Sequence, residues 1–199
     1  MVRYSPEHNE AIRKKIVEVA SFRFRKDGIG AVGLAPLMKE AGLTHGTFYT
    51  HFKSKDDLVA ATVAELNRER LEAIGATLER PNGVETFLRS FLSEGHRDNF
   101  SAGCLNASIV GEIARESEVV RAVYTQGTSD LVDMLALRLE RFETDERRQA
   151  AIALLAMMTG GIQSARAVSD PTSSAEILDS TFAMAMLFAL GEEAVRQPG

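Results

Sequence analysis

Residues 32–58 read V-G-L-A-P-L-M-K-E-A-G-L-T-H-G-T-F-Y-T-H-F-K-S-K-D-D-L. The apolar spacing predicts a short helix over about 34–41 that Gly42 ends. It also predicts a second short helix, with Thr44 as the residue that caps its start. Ser54 is then a candidate cap for a third helix, because two aspartates follow it at the positively polarised end. The stretch therefore predicts three helices in close succession, joined by very short turns.

The second short helix, ending near residue 51, carries a dense set of side chains that can contact DNA. A short helix with small polar residues at its start is what a helix-turn-helix protein inserts into the major groove. Side chains at the start reach base edges, whereas Tyr49, His51 and the following lysines are better placed for phosphates, and Thr50 suits either role. For Tyr49 the alternative is a packed ring with a solvated hydroxyl. The predicted DNA-binding residues are Thr44, His45, Gly46, Thr47, Tyr49, Thr50, His51, Lys53 and Lys55.

Charge is divided unevenly along this chain of 199 residues, whose formal net charge is −5. Residues 1–58 carry a net charge of +3 and the remainder −8. This asymmetry is expected where only the N-terminal part meets phosphates, although a difference of this size also arises by chance. The absence of an apolar run of about 18 residues or of a signal-peptide core predicts no membrane span and no export. The single cysteine, Cys104, fits a reducing cytoplasm.

Beyond residue 58 the sequence continues as apolar-periodic segments with short polar breaks and almost no alternation of period two. This pattern predicts helices throughout and therefore an all-α fold. The last two helices, predicted over about 145–168 and 173–196, are unusually apolar, and the second is apolar around much of its circumference. One face of that pair is expected to meet a second subunit, the alternative being burial within its own domain.

The residues of the opening stretch, together with Gly28, closely resemble the DNA-binding domain of TetR-type (tetracycline-repressor) transcriptional regulators. The resemblance covers about residues 8–60 directly and the remainder only in general style. It implies an N-terminal three-helix helix-turn-helix DNA-binding domain, assigned to 1–58. It also implies a larger helical ligand-binding and dimerisation domain over 59–199. Gly33 and Pro36 depart from the usual family pattern but are compatible with a helix start.

The same resemblance implies a homodimer, formed through the last two helices, that binds double-stranded palindromic operator DNA. The protein would then be a repressor that a small-molecule effector of unknown identity releases from that DNA, with an activator as the alternative. A cytoplasmic, DNA-bound regulator without a cofactor is the resulting expectation.

An enzyme is not expected, because no catalytic constellation or metal-ligand spacing is recognisable and the four histidines form no metal-binding pattern. An effector pocket instead requires apolar walls with a few polar groups. Each candidate could equally be a residue of the hydrophobic core. The candidate effector-binding residues are Phe91, Phe100, Cys104, Tyr124, Met134, Met158, Gln163 and Arg166.

Two other functional hypotheses remain beside the repressor. Cys104 is placed near the start of a predicted helix, where a thiolate is stabilised, so the protein could sense oxidants or electrophiles. Alternatively, this cysteine is a small buried apolar residue with no such role. The other hypothesis is a helical ligand-binding module without DNA activity, which leaves the polar cluster over 44–51 unexplained.

Overall fold

A computed structural model describes residues 5–101 and 103–192 and is all-α over those ranges. This confirms the predicted fold class. Within the described residues the helices are α1 (Pro6–Asp27), α2 (Leu34–Glu40), α3 (His45–His51), α4 (Lys55–Leu78), α5 (Gly83–Phe91), α6 (Glu94–Asp98), α7 (Leu105–Ile113), α8 (Glu118–Ala136), α9 (Arg147–Ala167) and α10 (Pro171–Leu190).

Three of the N-terminal helices begin at a hydroxyl side chain, and two of these caps, Thr44 and Ser54, are the ones that the sequence predicts. The hydroxyls of Ser5, Thr44 and Ser54 accept hydrogen bonds from the backbone N–H groups of His8, Thr47 and Asp57 at 3.3, 3.3 and 3.2 Å. Each bond satisfies one of the N–H groups that a helix start leaves without a partner. Gly28 and Gly42 follow α1 and α2 with φ of 88° and 68°, a backbone conformation that residues other than glycine rarely adopt.

The last helix differs from its predicted bounds at both ends. It begins at Pro171 rather than at 173, because Asp170 caps it by accepting from the Ser173 backbone N–H at 2.7 Å. It ends at Leu190, before Gly191 with φ of 89°, rather than at 196. Residues 193–196 of the predicted helix lie outside the described residues.

Two clusters of buried apolar side chains organise the chain. The smaller cluster joins α1, α2, α3 and the first half of α4 to Leu105, Ile109 and Ile113 of α7. The larger cluster joins the end of α4 to α5, α8, α9 and α10. Helix α4 thus contributes to both clusters, and the predicted domain boundary after residue 58 falls near its start. The division at that residue stays a prediction.

Helices α9 and α10 pack side by side after a connection of three residues, 168–170. A Cβ atom built on Gly161 of α9 would lie 2.5 Å from Cγ2 of Thr181, so the two helices approach closely at this point. Both helices keep exposed apolar side chains, with Ile152 of α9 50% and Met184 of α10 55% accessible. By length and composition alone α10 also meets the criteria for a membrane span, but a helix packed in a protein core passes the same test.

Candidate nucleic-acid interface and ligand cavity

Helix α3 is anchored by aromatic side chains on one face and exposed on the other. Phe48 is fully buried and stacks on Phe52 with ring centroids 5.6 Å apart. His45, Tyr49 and Thr50 face solvent, and Tyr49 is 59% exposed. The His45 and Tyr49 rings meet edge to face at 5.4 Å. The buried anchor fixes how this polar face is presented, as insertion into a DNA groove requires.

The threonines of α3 make hydrogen bonds within the helix itself. The hydroxyl oxygens of Thr44 and Thr47 lie 2.8 Å apart, and the Thr50 hydroxyl donates to the Thr47 carbonyl at 2.7 Å. A hydroxyl that donates once still has lone pairs that accept. These side chains can therefore meet base or phosphate groups without losing the bonds that hold them in place. Gly46 is exposed between them, which permits close approach of the backbone.

The two predicted lysine contacts differ in their surroundings. Lys53 is exposed, and its backbone N–H donates to Oδ2 of Asp57 at 2.9 Å. Lys55 is half-buried, and its Nζ donates to the Ile29 carbonyl at 2.7 Å. The Lys55 ammonium thus links the start of α4 to the turn after α1. Its remaining N–H groups can still be offered to an anion.

The end of α3 is held by an arginine that sequence reasoning missed. Nη1 of Arg13 donates to the His51 carbonyl at 3.1 Å, and its guanidinium lies 4.3 Å from the centre of the Phe52 ring. Burial, together with the Arg13 charge, lowers the pKa of His51 below its ordinary value, so its ring is neutral near pH 7. The contact joins residues 38 apart in the chain, and local sequence patterns carry no signal for such a pair.

A cavity of about 610 Å³ lies between α1, α4, α5, α6 and the start of α7. Its walls are mainly apolar, as small-molecule sites usually are. Among the predicted effector residues, Phe91 and Cys104 line it. The polar part of its wall also includes four residues that the sequence did not predict as effector contacts, namely Arg25, Glu69, Arg70 and His96.

The other predicted effector residues lie elsewhere. Tyr124 and Gln163 line a second recess beside the outer face of α9. The Arg166 guanidinium lies 4.5 Å from the centre of the Phe100 ring, in a shallow third recess. Met158 is fully buried in the larger core, and Met134 packs against that core. The structure therefore does not bring the eight residues together in one pocket, because helical periodicity does not separate cavity walls from core.

The segment between α6 and α7 is tied down around Cys104. The Cys104 backbone N–H donates to Nε2 of His96 at 3.0 Å, and Nδ1 of His96 lies 2.6 Å from the Phe91 carbonyl. Burial lowers the pKa of His96, the hydrogen bond with the Phe91 carbonyl opposes this shift, and the Arg166 charge adds to it. The neutral ring matches these partners, with Nδ1–H donating and Nε2 accepting. Arg166 also donates to the carbonyls of His96, Arg97 and Ala107.

Two contacts join the cavity region to α1 and to the turn that follows it. Arg25 of α1 lines the cavity and donates to the Gly103 carbonyl at 3.3 Å. At the far end of α7, Oε2 of Glu112 accepts from the Gly30 backbone N–H at 2.9 Å. Helix α7 thus runs from the cavity, at Cys104 and Leu105, to the turn that follows α1.

In the described part of the chain no cluster of three or more His, Cys, Asp or Glu residues could hold a metal ion.

Comparison with known proteins finds transcriptional regulators that are similar in sequence to the N-terminal helices of this chain. The family described as "Bacterial regulatory proteins, tetR family" matches residues 16–62. The HTH-type transcriptional regulator TtgR of Pseudomonas putida is 37% identical over 67 residues. That match covers 34% of this chain, which thus spans about a third (32%) of TtgR.

Two solved structures share the fold across most of the chain. The reduced form of E. coli NemR has a TM-score of 0.75 at 20% identity, covering 88% of this chain and 95% of NemR. A complex of SmeT with triclosan has a TM-score of 0.65 at 23% identity, covering 95% of this chain and 96% of SmeT.

Proposed function

Since this chain belongs to the TetR family of transcriptional regulators, we propose that it is a homodimeric repressor that binds palindromic operator DNA in the cytoplasm and releases it on binding a small molecule. The observation that carries the proposal is the exposed polar face of α3, fixed from behind by buried Phe48. Thr44, His45, Gly46 and Thr47 are assigned to base edges. Tyr49, His51, Lys53 and Lys55 are assigned to phosphates, contacts that fix the register of the protein on the duplex, and Thr50 suits either role.

Exposed apolar residues on α9 and α10 support the dimer. Ile152, Ala156 and Gly160 of α9 are exposed, and so are Ala183 and Met184 of α10. An apolar surface of this kind is stabilised when a second copy covers it. In a dimer the two α3 helices would read major grooves on one side of the duplex, about 34–36 Å or a multiple apart.

Two helices support coupling between the cavity and the DNA-binding face. Helix α4 follows α3 after a connection of three residues, 52–54, and lines the cavity with Arg70 and Ile74. Helix α7 begins at the cavity and ends against Gly30. A ligand that moves either helix changes the spacing of the α3 pair. By thermodynamic linkage, operator DNA must weaken ligand binding by the same factor. A small molecule, triclosan, is present in the SmeT complex of the same fold.

Fluorescence anisotropy with labelled DNA from upstream of the protein's own gene tests the proposal. We expect affinity at least about 10³-fold above that for a scrambled duplex. Tyr49→Ala should weaken operator binding, whereas Leu137→Ala, with a side chain 71% exposed outside α3, should not. Equal binding to operator and scrambled DNA, or equal effects of the two substitutions, would overturn the assignment.

A second candidate function is a thiol switch at Cys104. The cysteine is half-buried and lines the cavity, and Arg25 of the same wall donates to the carbonyl of the preceding residue, Gly103, at 3.3 Å. An electrophile small enough to enter the cavity would form an adduct there and act as the effector does.

Iodoacetamide applied to the protein–operator complex tests this candidate. Release from wild type but not from Cys104→Ser would support the switch. Retention of DNA by fully alkylated wild type would overturn it and leave the reversible effector as the only signal. Alkylation is followed by mass spectrometry so that retention cannot reflect an unmodified thiol.

A further inference from the structure

We infer that the cavity between α1, α4 and α5 takes an apolar monoanion, a carboxylate on an alkyl or aryl body, and that Arg70 holds its charge. The inference rests on the proposed function, because it names the chemistry of the effector. It begins from a buried arginine whose charge the described protein groups do not neutralise.

Arg70 lines the cavity and is only 7% exposed. Its hydrogen-bond partners are all neutral oxygens. Nη1 donates to Oδ1 of Asn106 at 2.9 Å, and Nη2 donates to Oδ1 of Asn67 at 2.8 Å and to the Gly127 carbonyl at 3.0 Å. Its Nε has no hydrogen-bond partner in the described structure. Over residues 5–101 and 103–192, no carboxylate forms an ion pair with this guanidinium.

The surroundings of Arg70 are built to hold its side chain in one place. Asn67 and Asn106 are 4% and 3% exposed, and the Tyr124 hydroxyl donates to the same Asn106 oxygen at 3.2 Å. A Cβ atom on Gly127 would lie 2.2 Å from the Asn67 side chain, so a glycine is required there. The arrangement joins α4, α7 and α8 around one cation. Burying a charge among neutral groups is unfavourable unless an opposite charge compensates it.

The other charged groups of the cavity wall leave an excess of one positive charge. The opposite charges of Arg25 and exposed Glu69 offset each other, so the positive charge of Arg70 remains without an opposite charge in the wall. His96 is neutral near pH 7, because burial lowers its pKa. The rest of the wall includes Leu66, Ala73, Ile74, Phe87, Phe91 and Leu105. A ligand with one negative charge and an apolar body complements this wall, whereas a cation would meet two guanidinium groups.

Matched ligands of equal size test the inference on the wild-type chain by isothermal titration calorimetry. Decanoate is compared with decanol and decyltrimethylammonium, and 2-naphthoate with 2-naphthol, all below their aggregation concentrations. We expect at least one acid to bind about tenfold or more tightly than its neutral partner, as a charge-assisted hydrogen bond allows. The cation should bind most weakly. Equal affinity for acid and neutral partner in both pairs, or preference for the cation, would overturn the inference.

Arg70→Met then assigns the charge to its residue. The preference for the acid should disappear, while Arg121→Met, which removes an exposed arginine of α8, should leave it intact. If Arg70→Met fails to fold, the wild-type ligand series still decides, because it does not depend on any variant. Persistence of the acid preference in folded Arg70→Met would overturn the role of Arg70.

Operator binding is measured separately so that the two proposals can fail separately. Acid binding without release of operator DNA would leave the anion site standing and contradict the effector mechanism. Specific operator binding by a protein that prefers neither acid would leave the regulator standing and overturn the anion site. Acid binding that releases the operator supports both.

Discussion

The Glu112 carboxylate accepts a hydrogen bond of 2.9 Å from the backbone N–H of Gly30, across 82 residues of sequence. Its other oxygen is the first atom that a Cβ on Gly28 would meet, at 2.7 Å. The carboxylate thus packs against the turn where α1 ends and the polypeptide turns towards α2. Helix α7, whose first residues line the cavity, is thereby joined to the unit that carries α3.

Glu112→Ala should loosen this joint without unfolding the protein. The contact is partly exposed, so we expect a loss of about 1 kcal/mol in the free energy of unfolding. Amide hydrogen exchange over residues 28–32 should become faster, because the turn loses its partner on α7. Glu143→Ala, which removes an exposed carboxylate outside the contact, serves as the control. Exchange that is unchanged in Glu112→Ala would show that the turn is held by other contacts.

Gly161→Ala should destabilise the α9–α10 pair. The added methyl group would lie 2.5 Å from the Thr181 side chain, whose hydroxyl is bonded to the Ile177 carbonyl at 2.7 Å. Overpacking of this kind costs about 1–3 kcal/mol, measurable by urea unfolding. Gly111→Ala on α7 meets nothing within 4 Å and should be neutral or stabilising by up to about 1 kcal/mol. Equal stabilities for the two variants would contradict the close approach.

The parts of this fold that the sequence predicts are those fixed by neighbouring residues. A cap such as Thr44 or Ser54 needs only an N–H group three residues ahead, and a glycine with positive φ needs only its own backbone. The all-α class follows in the same way from short-range periodicity. Gly191 carries the same kind of signal, and the predicted end at 196 is wrong because it passes over that glycine.

The candidate sites depended on contacts that no local pattern contains. Met158 and Phe91 are both buried apolar residues of the larger core, yet Phe91 also lines the cavity and Met158 does not. Which of these occurs is decided when distant helices pack. The Arg70 cluster likewise joins residues up to 57 apart in the chain. Sequence reasoning therefore located the polar face of α3 but not the charged wall of the cavity.

Met184→Glu should convert the proposed dimer to a monomer. The side chain is 55% exposed on the apolar outer face of α10, and a charge buried there without a partner is strongly unfavourable. Light scattering after size exclusion should give half the wild-type mass, and operator affinity should fall. Leu137→Glu introduces the same charge at a position 71% exposed outside that face and should stay dimeric. A Met184→Glu variant that remains dimeric would place the interface elsewhere.

His96→Gln should flatten the dependence of stability on pH. Because the folded pKa of His96 lies below the ordinary value of 6.5, the unfolded chain binds a proton first as pH falls. The stability contribution is complete above about pH 6.5 and is lost as pH falls through the folded pKa. Urea unfolding at about pH 7.5 and about pH 5.5 should show a smaller loss in His96→Gln than in wild type. His51 shifts in the same direction, so part of the loss should remain. An unchanged loss would mean that His96 is protonated equally in both states.

Lys53→Ala and Lys55→Ala should weaken DNA binding for different reasons. Lys53 is exposed beyond α3, so its loss should lower affinity for all sequences and reduce the slope of log affinity against log salt by about one unit. Lys55 is held by the Ile29 carbonyl, so its loss should also lower the free energy of unfolding, by about 1 kcal/mol. Operator titrations from about 50 to 200 mM salt, paired with urea unfolding, separate the two effects.

A Lys53→Ala variant that changes base preference and keeps the wild-type salt slope would contradict its phosphate contact. A Lys55→Ala variant of wild-type stability would show that the Ile29 bond contributes little and that this lysine acts on DNA alone.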